Sequence, residues 1–347
     1  MFEQMQDLEL DRVVLWRDAA SGLEAILAID DVALGPAAGG VRTRAYGSPG
    51  DAFADAAALA RAMTVKCALG GLTAGGGKCV VLDHAGLDRA RGFEILGERI
   101  AELGGLFRTA GDLGTTAADL AAMASRCPWV HTDETGLAAA VAHGLLRCLE
   151  ACAALRGVEL AGLRVAVQGA GSIGAAVARR LSAAGVQLIV ADLDAARAHA
   201  VAGETGATVG DPAAILTAPV DVIAPCAVGG VIDVEVARSM RAWAVCGAAN
   251  NLLASPEAED ALIARGILAV PDVVASAGAV IEGIGRTVMQ LADRAPLIDA
   301  LGATARRILE DARTTGARPS AIARQLASTR IAARRAERAS SFPRGDR

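Results

Sequence analysis

The chain has 347 residues, 53% of them hydrophobic, and a formal net charge of −5. At roughly 100–200 residues per domain this length predicts two domains, with apolar residues ample for large cores. No basic block argues for nucleic acid, no uninterrupted apolar run reaches the roughly 18 residues of a membrane span, and residues 1–15 carry acids rather than the basic start of a secretory leader.

Residues 13–16 and 23–29 read as strands around a turn cluster at 18–22, which predicts a hairpin. A glycine-rich segment with Pro36 and Gly39-Gly40 follows. Residues 51–64 are alanine-rich with apolar spacing of three to four, predicting a helix that ends near Thr64. The next stretch, 62–78, holds Lys66 and Lys78, the only two lysines of the chain, with Gly70, Gly71, Gly75, Gly76 and Gly77 between them. Glycine loses the most backbone entropy on folding, so this density needs a reason, and close approach of the backbone to a ligand supplies one. Lys78 precedes the apolar run 79–82, which places its amine at a loop–strand junction under crowded backbone. A lysine desolvated there titrates closer to neutrality and acts as a base, whereas an arginine stays charged. The competing reading is a flexible loop with two solvated lysines; the use of lysine at these two sites alone favours chemistry.

Residues 88–103 form another amphipathic helix. Asp112 then sits in a Gly/Thr loop ahead of a helix over 116–126, where an aspartate is ordinarily a helix or turn cap. Residues 137–156 predict a long Ala/Leu helix. After it, 163–168 is a strand, Gly169, Gly171 and Gly174 form a G-x-G-x-x-G turn, a helix spans 172–184, and a second strand at 186–191 ends in Asp192. Strand, glycine turn, helix and distal acid together point to a dinucleotide site, the competing reading being a purely structural strand–glycine–helix turn. Gly169 permits the tight turn, Gly171 admits a pyrophosphate at the helix N-terminus beside Ser172 and Ile173, and Gly174 lets helix and strand pack. Asp192 would accept hydrogen bonds from the adenosine ribose and repel a 2′-phosphate, favouring NAD over NADP. Further strands at 220–224, 242–246 and 267–270 continue a parallel sheet, so Cys226, Asn250 and Asn251 fall along the cofactor crevice beyond the strand ends, although consecutive asparagines there are also ordinary turn residues. Residues 272–291, 293–317 and 319–339 read as helices, and a polar tail from Ser340 is expected to fray. Seven cysteines are scattered without a Cys-x-x-Cys pair, Cys148 and Cys152 lying one helical turn apart, which reads as reduced thiols of a cytoplasmic protein. His84, His131, His143 and His199 show no ligand spacing, so no metal is expected.

The segment 35–40, the stretch 63–78, Thr109 to Thr115 around Asp112, and the segments 224–227 and 247–251 together resemble the leucine, phenylalanine and valine dehydrogenase branch of the Glu/Leu/Phe/Val dehydrogenases. The resemblance covers about residues 34–286, and over 221–286 it is nearest to actinobacterial phenylalanine dehydrogenases. It implies an α/β protein of two domains around a cleft. Residues 1–135 would form the substrate, catalytic and oligomerisation domain and 136–285 the Rossmann NAD domain; 286–347 would be helices returning to the first domain. The implied reaction is reversible, NAD-dependent oxidative deamination of an L-amino acid to a 2-oxo acid and ammonia by a homo-oligomer. Lys66 would hold the substrate carboxylate with the backbone of Gly39 and Gly40, Lys78 would be the catalytic lysine, Asp112 a proton shuttle, and Asn250 would order substrate and nicotinamide. Ala227, Ala248 and Ser276 would join Cys226 at the cofactor, and Ala38, Ala110, Val280, Gly283 and Ile284 would surround the substrate side chain. Small residues at Ala38 and Gly283 point to phenylalanine or another large apolar substrate, with leucine or valine as the alternative. Two departures stand out: Ser276 where the family has Asn, and Val141 where it has Thr, both at positions that orient the nicotinamide carboxamide. They keep open a second class of function, an NAD-binding protein with little catalysis.

Overall fold

The computed structural model of the protein describes residues 2–341. It divides into two compact units. One runs to Glu134 and takes in Ile284–Gln290 and the chain from Ala327; the other comprises Thr135–Gly283 and Leu291–Leu326.

In the first unit the order is α1 (Phe2–Asp7), β1 (Arg12–Asp18), β2 (Leu23–Asp31), β3 (Ala37–Arg44), α2 (Pro49–Leu69), β4 (Gly75–Leu82), α3 (Arg89–Glu102), β5 (Phe107–Gly111) and α4 (Ala117–Ala124). The strands form one mixed sheet, β1-β2-β4-β3-β5. β1 and β2 make the expected hairpin, Arg12 opposite Ile29 and Asp18 opposite Leu23. β2 is antiparallel to β4, and β3 is parallel to both β4 and β5. Successive side chains alternate between faces. Ile26, Ala28 and Val80 therefore meet Ala52, Ala56 and Ala60 of α2, while Leu27, Ile29, Cys79 and Val81 join Phe93, Leu96 and Ile100 of α3 and Leu120 and Met123 of α4.

Four local expectations are corrected here. α2 does not end near Thr64: the Thr64 hydroxyl donates back to Ala60 O at 3.3 Å, and the helix continues to its C-cap Gly70, followed by Gly71 at φ +76°. Lys66 thus lies in the last turn of a helix. β4 starts at Gly75, so Lys78 stands inside the central strand, not at a loop–strand junction. The strand glycines also have a different cause. A Cβ on Gly76 would stand 2.3 Å from Ala60 O and 2.2 Å from Thr64 Oγ1, so this glycine lets α2 lie directly on β4 rather than admitting a ligand. Finally, α4 is capped by Thr116, whose hydroxyl accepts from the Asp119 N–H while the Asp119 carboxylate accepts from the Thr116 N–H. Asp112 is not the cap.

The second unit contains α5 (Leu137–Arg156), β6 (Arg164–Gln168), α6 (Ser172–Ala183), β7 (Gln187–Ala191), α7 (Ala195–Thr205), β8 (Thr208–Val209), β9 (Val222–Pro225), α8 (Val234–Ser239), β10 (Ala244–Val245), α9 (Pro256–Ala264), β11 (Leu268–Ala269), α10 (Asp272–Ala275), most of α11 (Gly278–Thr287), α12 (Ala295–Thr315) and the start of α13 (Pro319–Ser341). Its six strands are all parallel, in the order β11-β10-β9-β6-β7-β8. The chain builds outward from β6 to β8, then crosses to β9 and builds the other way. The reversal leaves a crevice beyond the ends of β6 and β9, where such sheets bind ligands.

The helix expected over 272–291 is broken in two. A Cβ on Gly278 would stand 2.1 Å from Ala140 O, so the chain is pressed against α5 where α11 begins. α12 belongs to the second unit because it packs along α5. Of the C-terminal helices only the part of α13 from Ala327 joins the first unit, where Arg330 donates to Ala68 O at 2.6 Å. α5 is long and apolar enough by length and composition to cross a membrane, although its run is interrupted by charge; its Arg147 and Glu150 pair with each other, and 61% of its apolar window is buried. The expected frayed tail beyond Ser341 lies outside the described residues.

Candidate active site

Lys78 is the fourth residue of β4, on the face covered by α2, and only 6% exposed. Asp112 directly follows β5. The Lys78 Nζ lies 2.8 Å from Asp112 Oδ2, and the same oxygen accepts from Arg42 Nε at 2.9 Å. Arg42, on β3, reaches Asp55 of α2 with Nη1 at 3.2 Å, and the Tyr46 hydroxyl donates to Asp55 at 2.6 Å. The Asp112 loop is fastened to β3: the Thr115 hydroxyl donates to Val41 O at 2.7 Å. Gly40 lies beneath it, where a Cβ would stand 2.7 Å from Gly111 O and 3.0 Å from Asp112 Cβ.

Burial pushes the Lys78 amine below the ordinary lysine value against the pull of Asp112. Burial alone would raise the Asp112 carboxyl; the Lys78 charge and hydrogen bond, with Arg42, outweigh it and hold the carboxyl low. A carboxylate thus lies in hydrogen-bond contact with an amine that releases its proton more readily than usual, an arrangement suited to proton transfer near the working pH.

Lys66 is also buried, at 7% exposure. It lies one turn beyond Met63, whose Cγ is 3.5 Å from the Cβ position of Gly39, so that side of α2 faces β3 at the Gly39-Gly40 pair. In the sheet Ala38 is buried opposite Gly76, and Ala110 pairs with Gly40. Ile284 is buried in the same unit.

In the second unit, Gly169 adopts φ +97°, and a Cβ there would stand 2.8 Å from Ala227 Cβ. At Gly174 it would stand 1.9 Å from Gly169 O and 3.4 Å from Cys226 Cβ. Gly169, Gly174, Cys226 and Ala227 therefore meet where the strand order reverses, and the Ala248 N–H donates to Pro225 O at 2.9 Å beside them. Gly171 is the N-cap of α6; no side chain caps that end, and nothing lies within 4 Å of a Cβ position there. The first-turn N–H groups of Ser172, Ile173 and Gly174 have no partner within the helix, and an uncapped helix start of this kind suits a pyrophosphate. Asp192 accepts from the Ala170 N–H at 2.7 Å and the Asp194 N–H at 2.8 Å, and these bonds hold its carboxyl low. Each of its oxygens keeps a lone pair for ribose hydroxyls. Gln168, the last residue of β6, carries a buried Oε1 without a partner among the described residues. These residues fit NAD.

Asn251 takes a turn conformation at φ +52° and donates its N–H to Asp272 at 2.6 Å, with Asn250 exposed beside it. Ser276 is buried and its hydroxyl donates to Asp272 O at 2.6 Å, which spends its only proton on the backbone. The buried Val141 places its Cα 2.8 Å from the Cβ position of Gly278, so both departures from the family pattern flank one turn. Val280, Gly283 and Ile284 share one face of α11 by their spacing. The expected substrate residues thus divide between the units: Ala38, Gly39, Gly40, Lys66, Ala110 and Ile284 in the first, Asn250, Val280 and Gly283 in the second. Sequence reasoning missed Arg42, Asp55 and Tyr46. Strand alternation from Gly40 would have pointed to Arg42, had 37–44 been read as a strand.

Residues 11–128 match the model described as Glu/Leu/Phe/Val dehydrogenase, dimerisation domain, and residues 191–285 match that of Glutamate/Leucine/Phenylalanine/Valine dehydrogenase. Residues 137–225 match the NAD binding domain of D-isomer specific 2-hydroxyacid dehydrogenases. The chain is 37% identical to leucine dehydrogenase of Geobacillus stearothermophilus over 81% of its length and 79% of the relative's. It is 36% identical to valine dehydrogenase of Streptomyces albus over 94% of each chain. The crystal structure of L-tryptophan dehydrogenase from Nostoc punctiforme matches with a TM-score of 0.85 at 31% identity, over 96% of this chain and 99% of that one. Together with the paired lysine and aspartate and the nucleotide-binding turn, these matches place the chain in the Glu/Leu/Phe/Val dehydrogenase family, as an NAD-dependent amino-acid dehydrogenase.

Proposed function

We propose that the enzyme catalyses the reversible oxidative deamination of a branched-chain L-amino acid, leucine or valine, to its 2-oxo acid and ammonia. The reaction type rests on one observation: a buried lysine with a lowered pKa in contact with a carboxylate. That pair also speaks against a nucleotide-binding protein without turnover. The branched-chain substrate is supported by the relatives named leucine and valine dehydrogenases, at 32–38% identity.

Lys66 binds the substrate carboxylate as a buried point charge, with the backbone of Gly39 and Gly40. Gly169, Gly171, Gly174 and Asp192 would hold NAD+, which would supply the acceptor for the hydride leaving the substrate Cα. Neutral Lys78 takes a proton from the water that adds to the resulting imine carbon. Asp112 exchanges protons with Lys78 and with the substrate nitrogen, which leaves as ammonia.

A large aromatic substrate is the second reading. Two observations favour it: alanine at position 38, and the absence of any packing need for glycine at 283, where a Cβ would meet only Leu137 Cδ2 at 3.9 Å. Apolar pockets discriminate by only about 1–3 kcal/mol per methylene-sized change, so the two readings are separated by measurement. Initial rates of NADH formation with leucine, valine, isoleucine, phenylalanine and tryptophan should give leucine or valine a kcat/KM about tenfold or more above phenylalanine. A higher value for phenylalanine would replace the branched-chain reading with the aromatic one.

Assembly and compartment belong to the same proposal. The match of residues 11–128 to a dimerisation domain supports a homo-oligomer built through the first unit. All seven cysteines are free thiols. Burial pushes Cys67 and Cys79 up to about 12, which keeps them unreactive and suits the cytoplasm.

A further inference from the structure

The Lys78–Asp112 pair does not stand alone. Asp112 Oδ2 receives both Lys78 Nζ and Arg42 Nε, so a single carboxylate oxygen carries two cations. Arg42 is held from behind by Asp55, and Asp55 by Tyr46. The chain of contacts draws on three elements and two loops: Lys78 from β4, Arg42 from β3, Asp55 from α2, Asp112 from the loop after β5 and Tyr46 from the loop after β3. From β2 the residue opposite Lys78 is Ala28, which carries no charge; of the two cations of α2, Arg61 pairs with Glu9 and with Asp30 of β2, and Lys66 lies three turns beyond Asp55.

The sum of charges decides what Lys78 can do. Two carboxylates face it from Asp112 and Asp55. Left alone, they would hold its proton and make it a poor base. Arg42 cannot lose its charge at working pH, and it sits between the two carboxylates. We propose that Arg42 and Asp55 are positioning residues for this reaction: Arg42 pins Asp112 by one oxygen and offsets the carboxylate charge so that Lys78 can shed its proton, and Asp55 limits that offset. Burial of Arg42, at 15% side-chain exposure, keeps solvent from screening the effect. The directions agree: at Lys78, Arg42 acts to lower the pKa and Asp55 to raise it.

The inference rests on Lys78 being the base. The test is the pH profile of kcat/KM for deamination in the full-length enzyme. Arg42→Gln should move the rising limb to higher pH, and Asp55→Asn should move it to lower pH, each by roughly one unit. A merely structural role would lower kcat in both without opposite shifts. Shifts of the same sign, or none, overturn the proposal. If Arg42→Gln does not fold, the near-isosteric Asp55→Asn decides alone, and an upward or absent shift overturns it. Lys78→Arg separates the two levels. If its residual activity keeps the parental limb, the base assignment itself fails, and the positioning roles with it. If the limb disappears in Lys78→Arg while Asp55→Asn leaves the parental limb unmoved, only the positioning roles fail.

Discussion

Replacing Lys78 tests the centre of the mechanism, and the surroundings of the residue set the size of the effect. Lys78 shares Asp112 Oδ2 with Arg42, which remains 2.9 Å away when the lysine is removed. Breaking a buried pair usually costs about 3–5 kcal/mol because a charge is left uncompensated. Here Asp112 stays paired, and the desolvation of the lysine is relieved, so Lys78→Ala should cost folding only about 1 kcal/mol or less. Turnover is a different matter. Loss of a positioned general base lowers the rate by roughly 10²–10⁴-fold, or about 3–5 kcal/mol of barrier. NAD affinity should be unchanged, because Gly169, Gly171 and Asp192 belong to the other unit. Lys78→Arg sharpens the test: it keeps the positive charge but cannot deprotonate at working pH, so it should lose about 100-fold or more as well. The assay is initial-rate NADH absorbance at saturating NAD with the best substrate, alongside calorimetric titration with NAD. Activity of either variant within tenfold of the parent would refute the catalytic assignment.

The rate of deamination should rise with pH as Lys78 loses its proton, with its inflection below the ordinary lysine value of 10.5; an inflection at or above it would contradict the lowered amine. By the same shift the unfolded chain binds the extra proton between the folded and unfolded values, so this group makes stability rise with pH across that window. NADP should serve about 100-fold less well than NAD, since its 2′-phosphate would meet the Asp192 carboxylate; equal efficiencies would dismiss that contact. Gly283→Val should fold normally, given the 3.9 Å clearance, and reduce kcat/KM for phenylalanine relative to valine by about tenfold; an unchanged ratio would take this face of α11 out of the substrate pocket. Two glycine variants should separate packing from binding in thermal melts and NAD titrations. Gly76→Ala, with its Cβ 2.3 Å from Ala60 O, should destabilise by about 1–3 kcal/mol, whereas Gly171→Ala, facing open space, should keep its Tm and weaken NAD; the reverse pattern would overturn both assignments.

By itself the sequence determined the parts whose physics is local. The hairpin of β1 and β2, the long helix α5, and the strand, glycine turn, helix and Asp192 of the nucleotide site follow from alternation, apolar spacing and turn chemistry within about 30 residues. Lysine used at two sites only was a local signal too. Tertiary structure alone decided the rest. Residues 37–44 and 107–111, rich in glycine, alanine and threonine, have weak strand propensity and become β3 and β5 because each pairs with a neighbour distant in sequence. The glycines before Lys78 looked like a ligand loop because only the packed fold shows what occupies the space of their missing side chains: Asp31 O at Gly75, α2 at Gly76, and Ala37 and Phe107 at Gly77. Asp112 looked like a cap until Thr116 was seen to fill that role. Arg42 and Asp112 are 70 residues apart, and no periodicity joins them. Their contact exists because β3 and β5 are adjacent and the sheet buries Lys78 between charges, and burial is a property of the assembled fold that no single segment carries.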